Sequence, residues 1–447
     1  MTAFSRIEAL VEDRGRDGIF RVRRELFTDP EIFDLEMKHI FGATWLFIGL
    51  ESQVARPHDF LTTTIGTQPV IVMRDGEGRL GCFLNTCRHR GAQVTSLACG
   101  NQRVHVCPYH GWSYTSGGAN CAIPKAKEGM YPPGFAAENH DLVPVPRFAN
   151  YRGMLFASLA ADVPPIEAHL GQAKVFLDLL IDQSPQGLEF VPGAVTYTFD
   201  GNWKLQIDNP LDGYHFDVTH GSYVDVIRGR KRETRNDVAT PELLAAEPDG
   251  SGHFALENGH SVYWYNYNAT GTVKPVNCDA EQLAKLEARV GRQRAKWMLI
   301  NRNLNVFPNM QIIDNLSIQL RLIRPLAPGK TEMISRCLAP IGESATARRL
   351  RIRQYEDFFN PSGMATPDDA AMFERCQTGS QAAGAGWLQG YVRGLGAMGQ
   401  GPSRHAEELG ISTEEWTYGP TNFGGETLFY PAYRETLRLL KQGLEKH

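Results

Sequence analysis

Two short segments of the chain carry cysteine and histidine at spacings that suit iron. Cys87-Arg88-His89 and Cys107-Pro108-Tyr109-His110 form C-x-H followed by C-x-x-H, with seventeen residues between His89 and Cys107. Two soft thiolates and two imidazoles at paired spacings suit a zinc site or a Rieske [2Fe–2S] cluster. In the cluster, one iron takes both cysteines and the other takes both histidines. Each loop must then present one Cys and one His, Cys first, on a tight turn, and both loops do so. A zinc site more often pairs Cys with Cys and His with His. Gly91 and Gly111 beside the loops let backbone N–H groups approach the cluster sulfurs, where hydrogen bonds tune the potential. The pattern therefore predicts a Rieske cluster on Cys87, His89, Cys107 and His110.

A second constellation lies downstream, in Asn202-Trp203-Lys204, Asp208-Asn209 and Asp212-Gly213-Tyr214-His215, followed by His220. The His-x4-His spacing alone also fits two core or surface histidines. Its companion is Asp368-Asp369, set among Met364, Met372 and Phe373. A 2-His-1-carboxylate triad leaves open positions on Fe(II) for dioxygen. His215, His220 and one of the two aspartates can supply that triad. Asp212, three residues before His215, shares its face if the stretch is helical. It would then hydrogen-bond the imidazole as an outer carboxylate. Two such centres in one chain imply electron transfer from the cluster to the iron.

The elements that must position these residues fall into three parts. Residues 1–42 read as helix, with Asp29-Pro30 as a start signal for the helical period of Ile32, Phe33, Leu35, Ile40 and Phe41. Residues 43–160 read as all-β, with short strands at Phe60–Ile65, Val70–Arg74 and Leu80–Asn85 and a hairpin turn at Asp75-Gly76-Glu77-Gly78. Pro164-Pro165 marks a boundary. Residues 161–447 read as an α+β catalytic domain, an antiparallel sheet surrounded by helices. Its strands are expected at Val195–Phe199, Val262–Tyr267, Leu304–Ile313, Ser317–Ile323 and Met333–Ala339. Its helices are expected at Leu170–Asp182, Ala280–Leu299, Ala345–Phe359 and Tyr433–Glu445.

At 447 residues the chain has room for two cores. A formal net charge of −4 gives no sign of nucleic-acid binding or an anionic membrane surface. The N-terminus carries charges and no apolar h-region, and no apolar run is long enough to span a bilayer. A cytoplasmic protein is expected. The other six cysteines are scattered, as reduced core or strand residues are. Arg348, Arg349, Arg351 and Arg353 form a basic run, read as a solvated face or a dock for an acidic electron-transfer partner.

Over nearly its whole length the chain resembles the large (α) subunits of Rieske non-haem iron aromatic-ring-hydroxylating dioxygenases. The resemblance rests on Cys87-x-His89…Cys107-x-x-His110-Gly111-Trp112 and on Asn202-Trp203-Lys204…Asn209…Asp212-x-Tyr214-His215-x4-His220. Within the family it is similar to the benzoate/toluate group, with anthranilate and 2-halobenzoate dioxygenases as near relatives. That subgroup is suggested by Phe27–Glu31, Ser184–Leu188, Phe307-Pro308-Asn309 and the long run Arg353–Asp369.

The resemblance implies that His215, His220 and Asp369 hold the mononuclear iron, with Asp368 as the alternative carboxylate. It implies that Asp212 bridges His215 to His110 of the partner subunit in a head-to-tail trimer, α3 or α3β3 with a small β subunit. NADH would feed electrons through a separate flavin/[2Fe–2S] reductase, and O2 would add to the ring of an aromatic carboxylate, giving a cis-dihydrodiol. The substrate is benzoate, toluate, anthranilate or a 2-halobenzoate, or the enzyme is a salicylate-type monohydroxylase. An aromatic carboxylate needs a cationic or multi-donor anchor near the iron. Arg302 and Asn303 lead the candidates, ahead of Arg321 and Arg324 in the return strand. Asn209, Gly213, Phe216 and Val218 flank the ligands and are expected to line the pocket. Pro210 and Leu211 stand where benzoate-like enzymes carry a smaller, more polar segment, which reshapes that wall and leaves the substrate open. A reading from another class, a pure electron carrier with a Rieske centre alone, predicts no mononuclear iron.

Overall fold

The computed structural model describes residues 3–234, 250–266, 274–278, 280–400, 403–413, 415–418 and 424–445. It divides into two compact units, Phe41–Ile166 and a second made of Met1–Ile40 with Glu167–His447. The boundaries expected at 42/43 and 160/161 differ from these by two and six residues. Among the described residues no helix is long and apolar enough to cross a membrane.

The smaller unit is built of strands. Asp59–Ile65, Gln68–Arg74, Leu80–Leu84 and Cys99–Asn101 form one antiparallel sheet, with Gln68–Arg74 and Asp59–Ile65 central. Val104–Val106, Ser113–Thr115 and Asn120–Ala122 form a second, and Leu46–Leu50, Met154–Ser158 and Arg147–Tyr151 a third. The expected turn closes on Asp75, whose Oδ1 accepts from the N–H groups of Glu77 and Arg79. Cys87 and Cys107 belong to the core, packed with Phe60, Ile71, Met73, Trp112 and Tyr114.

In the larger unit one antiparallel sheet carries the site. Its order runs Leu188–Phe190, Lys330–Pro340, Ile318–Ala327, Met310–Asp314, Asn301–Val306, Ser261–Tyr265, Ser251–Ala255, Glu415–Tyr418 and Gly399–Gln400, with Val195–Phe199 also paired to Lys330–Pro340. Residues directly opposite in register share a face. Asn305, Gln311, Arg321, Ser335 and Val195 make one such row. Arg302, Asp314, Ile318 and Leu338 make a row on the other face.

Three expectations change. Residues 3–40 are not all helix: Val11–Arg14 and Ile19–Arg23 pair as a hairpin. Ile19-Phe20-Arg21-Val22-Arg23 alternates with period two, burying Phe20 and Val22, which is a strand pattern. The helix after Asp29 does form, with Asp29 accepting from the N–H groups of Glu31 and Ile32. Leu304–Ile313 is not one strand but two, reversing at Phe307-Pro308-Asn309, where proline cannot donate to a ladder. The helix Ala280–Leu299 breaks at Gly291, which has φ +84°. Tyr267, the expected end of the strand from Val262, lies outside the described residues.

The N-terminal segment belongs with this unit because a buried ion pair ties it there. Glu36 accepts from Lys204 Nζ at 2.7 Å and from Trp203 Nε1 at 2.7 Å. Asn202 caps the same helix, Trp203–Asp208, by accepting from Lys204 N. The Asn202-Trp203-Lys204 motif is therefore structural: it holds the helix that delivers Asn209 and Asp212. The basic run of Arg348 to Arg353 is not one solvated face either. Arg351 is buried on Glu343, and Arg348 pairs with Glu189 and Glu343.

Candidate metal centres

The two Cys-His loops of the smaller unit have matching backbone turns. Cys87 N donates to Ala92 O at 2.8 Å and Gly91 N to Cys87 O at 3.0 Å. Cys107 N donates to Trp112 O at 2.8 Å and Gly111 N to Cys107 O at 3.0 Å. Gly91 and Gly111 both take positive φ, +77° and +76°, which a side chain would resist. The turns bury both cysteines and leave His89 and His110 toward the surface, with their ring centroids 4.4 Å apart. Among the described residues, the donors of His215, His220 and Asp369 gather within 4.8 Å of one another, and no three of these four do so. A single tetrahedral zinc needs donors roughly 3.5–4 Å apart, as bonds of about 2.0–2.3 Å require. The spread fits a two-iron cluster better.

In the larger unit, His215, His220 and Asp369 converge from two segments. His215 Nε2 and His220 Nε2 are 3.3 Å apart, and Asp369 Oδ1 lies 3.4 Å from the first and 3.2 Å from the second. Donors around one ion bonded at about 2.1 Å are separated by about this much. Asp369 Oδ1 is buried without a hydrogen bond of good geometry, so its lone pair faces the two imidazoles. Asp368 stands behind His220, its Oδ2 3.6 Å from Nδ1. Asp212 Oδ2 stands behind His215, 3.1 Å from Nδ1. Burial opposes a charged His215, but hydrogen bonds to Asp212 and Asp369 outweigh it and push its pKa up to about 10. The site is thus built to hold positive charge.

A family model described as the Rieske [2Fe–2S] domain matches residues 44–147, and one for the ring hydroxylating alpha subunit (catalytic domain) matches residues 191–412. The chain is 41% identical over 408 residues to the toluate 1,2-dioxygenase alpha subunit of Pseudomonas putida, covering 91% of this chain and 88% of that one. The chain belongs to the ring-hydroxylating dioxygenase large-subunit family. It is 41% identical to the 2-halobenzoate 1,2-dioxygenase large subunit of Burkholderia cepacia, covering 91% and 87% of the two chains. It is 40% identical to the anthranilate 1,2-dioxygenase large subunit of Acinetobacter baylyi, covering 98% and 93%. The fold superposes on naphthalene 1,2-dioxygenase from a Rhodococcus species with a TM-score of 0.82 at 26% identity, over 98% of each chain. This large subunit is accordingly an oxidoreductase with a Rieske [2Fe–2S] domain and a non-haem iron domain.

One feature of this dioxygenase subunit's cluster site escaped the sequence. The Tyr114 hydroxyl lies 3.3 Å from Cys87 Sγ and accepts from Arg88 N–H at 3.0 Å. With its oxygen accepting from the backbone, the phenol proton is left for the sulfur. Such a bond favours the electron-rich reduced cluster. Tyr114→Phe is expected to lower the midpoint potential by on the order of 50 mV, taking the bond as about 1 kcal/mol and 59 mV as tenfold for one electron. Spectroelectrochemical titration measures it, and an unchanged potential would count against the bond.

The dioxygenase site also corrects two pocket candidates. Arg302 lies on the sheet face away from His215, His220 and Asp369. It is 2% exposed, bonded to Trp297 O and paired with Asp314, which Lys274 also meets at 2.8 Å. Adjacent strand residues point to opposite faces, so Arg302 and Asn303 cannot both face the iron. Asn303 does, donating to Pro210 O at 2.6 Å. Arg302→Leu should cost about 3 kcal/mol in denaturant unfolding, as breaking a buried ion pair does. It should leave KM for carboxylates and for neutral arenes changed alike. Val218 is 88% exposed and points to solvent, since it sits on the outer side of the short helix Phe216–Thr219. Gly213 is buried, and Phe216 packs 5.7 Å from the His220 ring.

Asp212 reaches His215 by a turn and not by a helix. Its backbone is extended, and Oδ1 accepts from Tyr214 N at 2.7 Å, which aims Oδ2 at the imidazole. Just before that turn, Asp208 ties the end of the helix Trp203–Asp208 to two distant tyrosines. That buried carboxyl accepts from Tyr433 at 2.8 Å and from Tyr391 at 3.2 Å, and burial holds its pKa well above the usual range. No local spacing joins Asp208 to residues more than 180 positions away.

On the sheet face shared by Asn303, Arg321 is the buried cation in place of Arg302. Its Nη1 donates to Asn209 Oδ1 at 2.9 Å and its Nε to Gln319 Oε1 at 2.8 Å. Gln319 also donates to Ser335 Oγ at 2.6 Å, and Ser335 meets Tyr355 OH at 2.8 Å. Arg324, the other return-strand candidate, pairs with Glu332.

Proposed function

We propose that this large subunit uses dioxygen and NADH-derived electrons to cis-dihydroxylate an aromatic carboxylate such as benzoate. The observation that carries the substrate class is the polar row under the metal triad. Asn303, Asn305, Gln311, Gln319, Arg321 and Ser335 are all buried on that face. Arg321 and Asn303 keep accessible surface in it, and a cation so placed favours a ring with an anionic substituent over a plain hydrocarbon. The enzymes named for toluate, 2-halobenzoate and anthranilate, all ring carboxylates, lie at 40–41% identity, which supports the same class here.

In this reading Cys87, His89, Cys107 and His110 hold the cluster, and His215, His220 and Asp369 hold the iron. When bound, the cluster supplies single electrons and the iron supplies dioxygen activation. The chain supplies orientation. Phe216 and Phe358 give the ring an apolar wall beside His220, at 5.7 and 5.9 Å between centroids. Gly213, Asn209 and Asn303 line the approach.

Asp212 serves as the electron bridge, accepting from His110 of the partner subunit and from His215. Support comes from exposure at both ends. His110 is exposed, and beside Asp212 the apolar side chains of Tyr214 and Val218 are 56% and 88% exposed. Side chains so exposed leave both ends accessible to a neighbouring subunit. A head-to-tail ring that closes as a trimer satisfies both ends. A small β subunit completes the assembly, and a separate flavin/[2Fe–2S] reductase delivers the electrons.

Product analysis tests the proposal. The holoenzyme with a reductase is expected to convert benzoate or a toluate to a cis-diol, and anthranilate or a 2-halobenzoate to a diol that loses ammonia or halide with CO2 to leave a catechol. A monohydroxylated acid as the only product of every member would overturn the dihydroxylation.

A further inference from the structure

Three arginines are buried among the described residues: Arg302, Arg321 and Arg351. Arg302 is paired with Asp314 and Arg351 with Glu343. Arg321, 5% exposed, has no described carboxylate within ion-pair distance and donates to two neutral amides. Its Nη2 makes no hydrogen bond to a described residue. A cation taken out of water without a counter-charge is destabilised, so such a group calls for an anion. Its surroundings say where that anion sits. Arg321 points to the face covered by the helix Trp203–Asp208, since its row neighbour Gln311 donates to Gln206 O at 2.8 Å. Its partner Asn209 lies three residues before Asp212. Tyr197, two strands away across Lys330–Pro340 and on the same face, feels both the Arg321 guanidinium and the Asp369 carboxylate, and its hydroxyl has no described partner.

We infer that Arg321 anchors the substrate's carboxylate, with Tyr197 as a second donor and Asn209 holding the guanidinium in place. This rests on the aromatic-carboxylate reading. A guanidinium fork takes a carboxylate by two parallel N–H bonds, which sets the ring's orientation as well as its affinity.

The test compares kcat/KM of the holoenzyme and its R321Q and R321K variants on benzoate and 2-chlorobenzoate against the neutral isosteres benzamide and 2-chlorobenzamide. The wild-type enzyme is expected to favour each acid by about 100-fold or more, because an amide leaves the cation unpaired. R321Q should erase that preference, mainly by raising KM for the acids, with the amides changed only a few-fold. R321K should lower the preference about tenfold, since it keeps the charge and loses the fork. An acid-to-amide ratio unchanged in R321Q overturns the anchor, as acids and amides then lose equally. If R321Q does not fold, the wild-type and R321K ratios decide: a wild-type ratio near one, or an R321K ratio equal to wild type, overturns it. Wild-type turnover of neutral arenes but of no ring carboxylate overturns the substrate class itself. Acid turnover indifferent to Arg321 overturns the anchor alone.

Discussion

Asp212→Ala is expected to keep the cluster's visible and EPR signatures intact while coupled oxygenation falls by more than the roughly 100-fold ceiling for an outer-shell partner. The excess comes from its two roles. Asp212 Oδ2 orients the His215 ring from 3.1 Å, and its loss frees that ring. As the proposed bridge, it is also the acceptor through which His110 of the partner subunit reaches the iron side. A purely orienting role would weaken iron binding and activity together. A bridging role lowers the rate at which a prereduced cluster gives up its electron, even in protein that still holds its iron. Stopped-flow oxidation of the prereduced cluster with substrate and dioxygen separates the two. Normal oxidation and turnover in iron-replete Asp212→Ala would rule out the route.

Asp369→Ala should abolish iron binding, whereas Asp368→Asn should not. Asp369 is 6% exposed, and its Oδ1 completes a triangle of donors with edges between 3.2 and 3.4 Å. Asp368, by contrast, has a side chain 37% exposed and meets only the outer nitrogen of His220, at 3.6 Å. Losing one of three direct donors costs more than the roughly 10–100-fold typical of an outer partner. Iron per chain after anaerobic purification and dialysis measures the difference. The Asp369→Ala protein should retain the cluster iron and lose the third. Asp368→Asn should keep all of it or lose affinity within the outer-partner range. The reverse pattern would assign the ligand to Asp368.

The residues proposed as donors could be picked out in the sequence because coordination demands particular atoms at short spacings. Cys87, His89, Cys107 and His110 sit on two local turns, and His215 and His220 are five residues apart. The choice between Asp368 and Asp369 needed the helix Thr366–Ser380, which turns the second aspartate inward and leaves the first half exposed. The proposed anchor was less legible. Which face of a strand meets the metal is set by register across the whole sheet, and no local signal near Arg302 or Arg321 reports it. Strand alternation alone did forbid Arg302 and Asn303 from lining the same pocket. Phe307-Pro308-Asn309 was visible as a motif, yet read as strand its reversal was hidden. The Ile19–Arg23 alternation was hidden in the same way under a helical reading of the first forty residues. Tyr114 stands four residues after His110, but its reach to Cys87 depends on how the two loops come together.

The most direct test of the two-centre account is a single turnover under ¹⁸O2. The fully reduced holoenzyme, freed of reductase, is mixed with benzoate or 2-chlorobenzoate, and the product is analysed by mass spectrometry. A ring diol carrying both labelled atoms, formed as the cluster is oxidised, is the expected product. A cluster that oxidises without any oxygenated product, or a product holding one labelled atom, would contradict it.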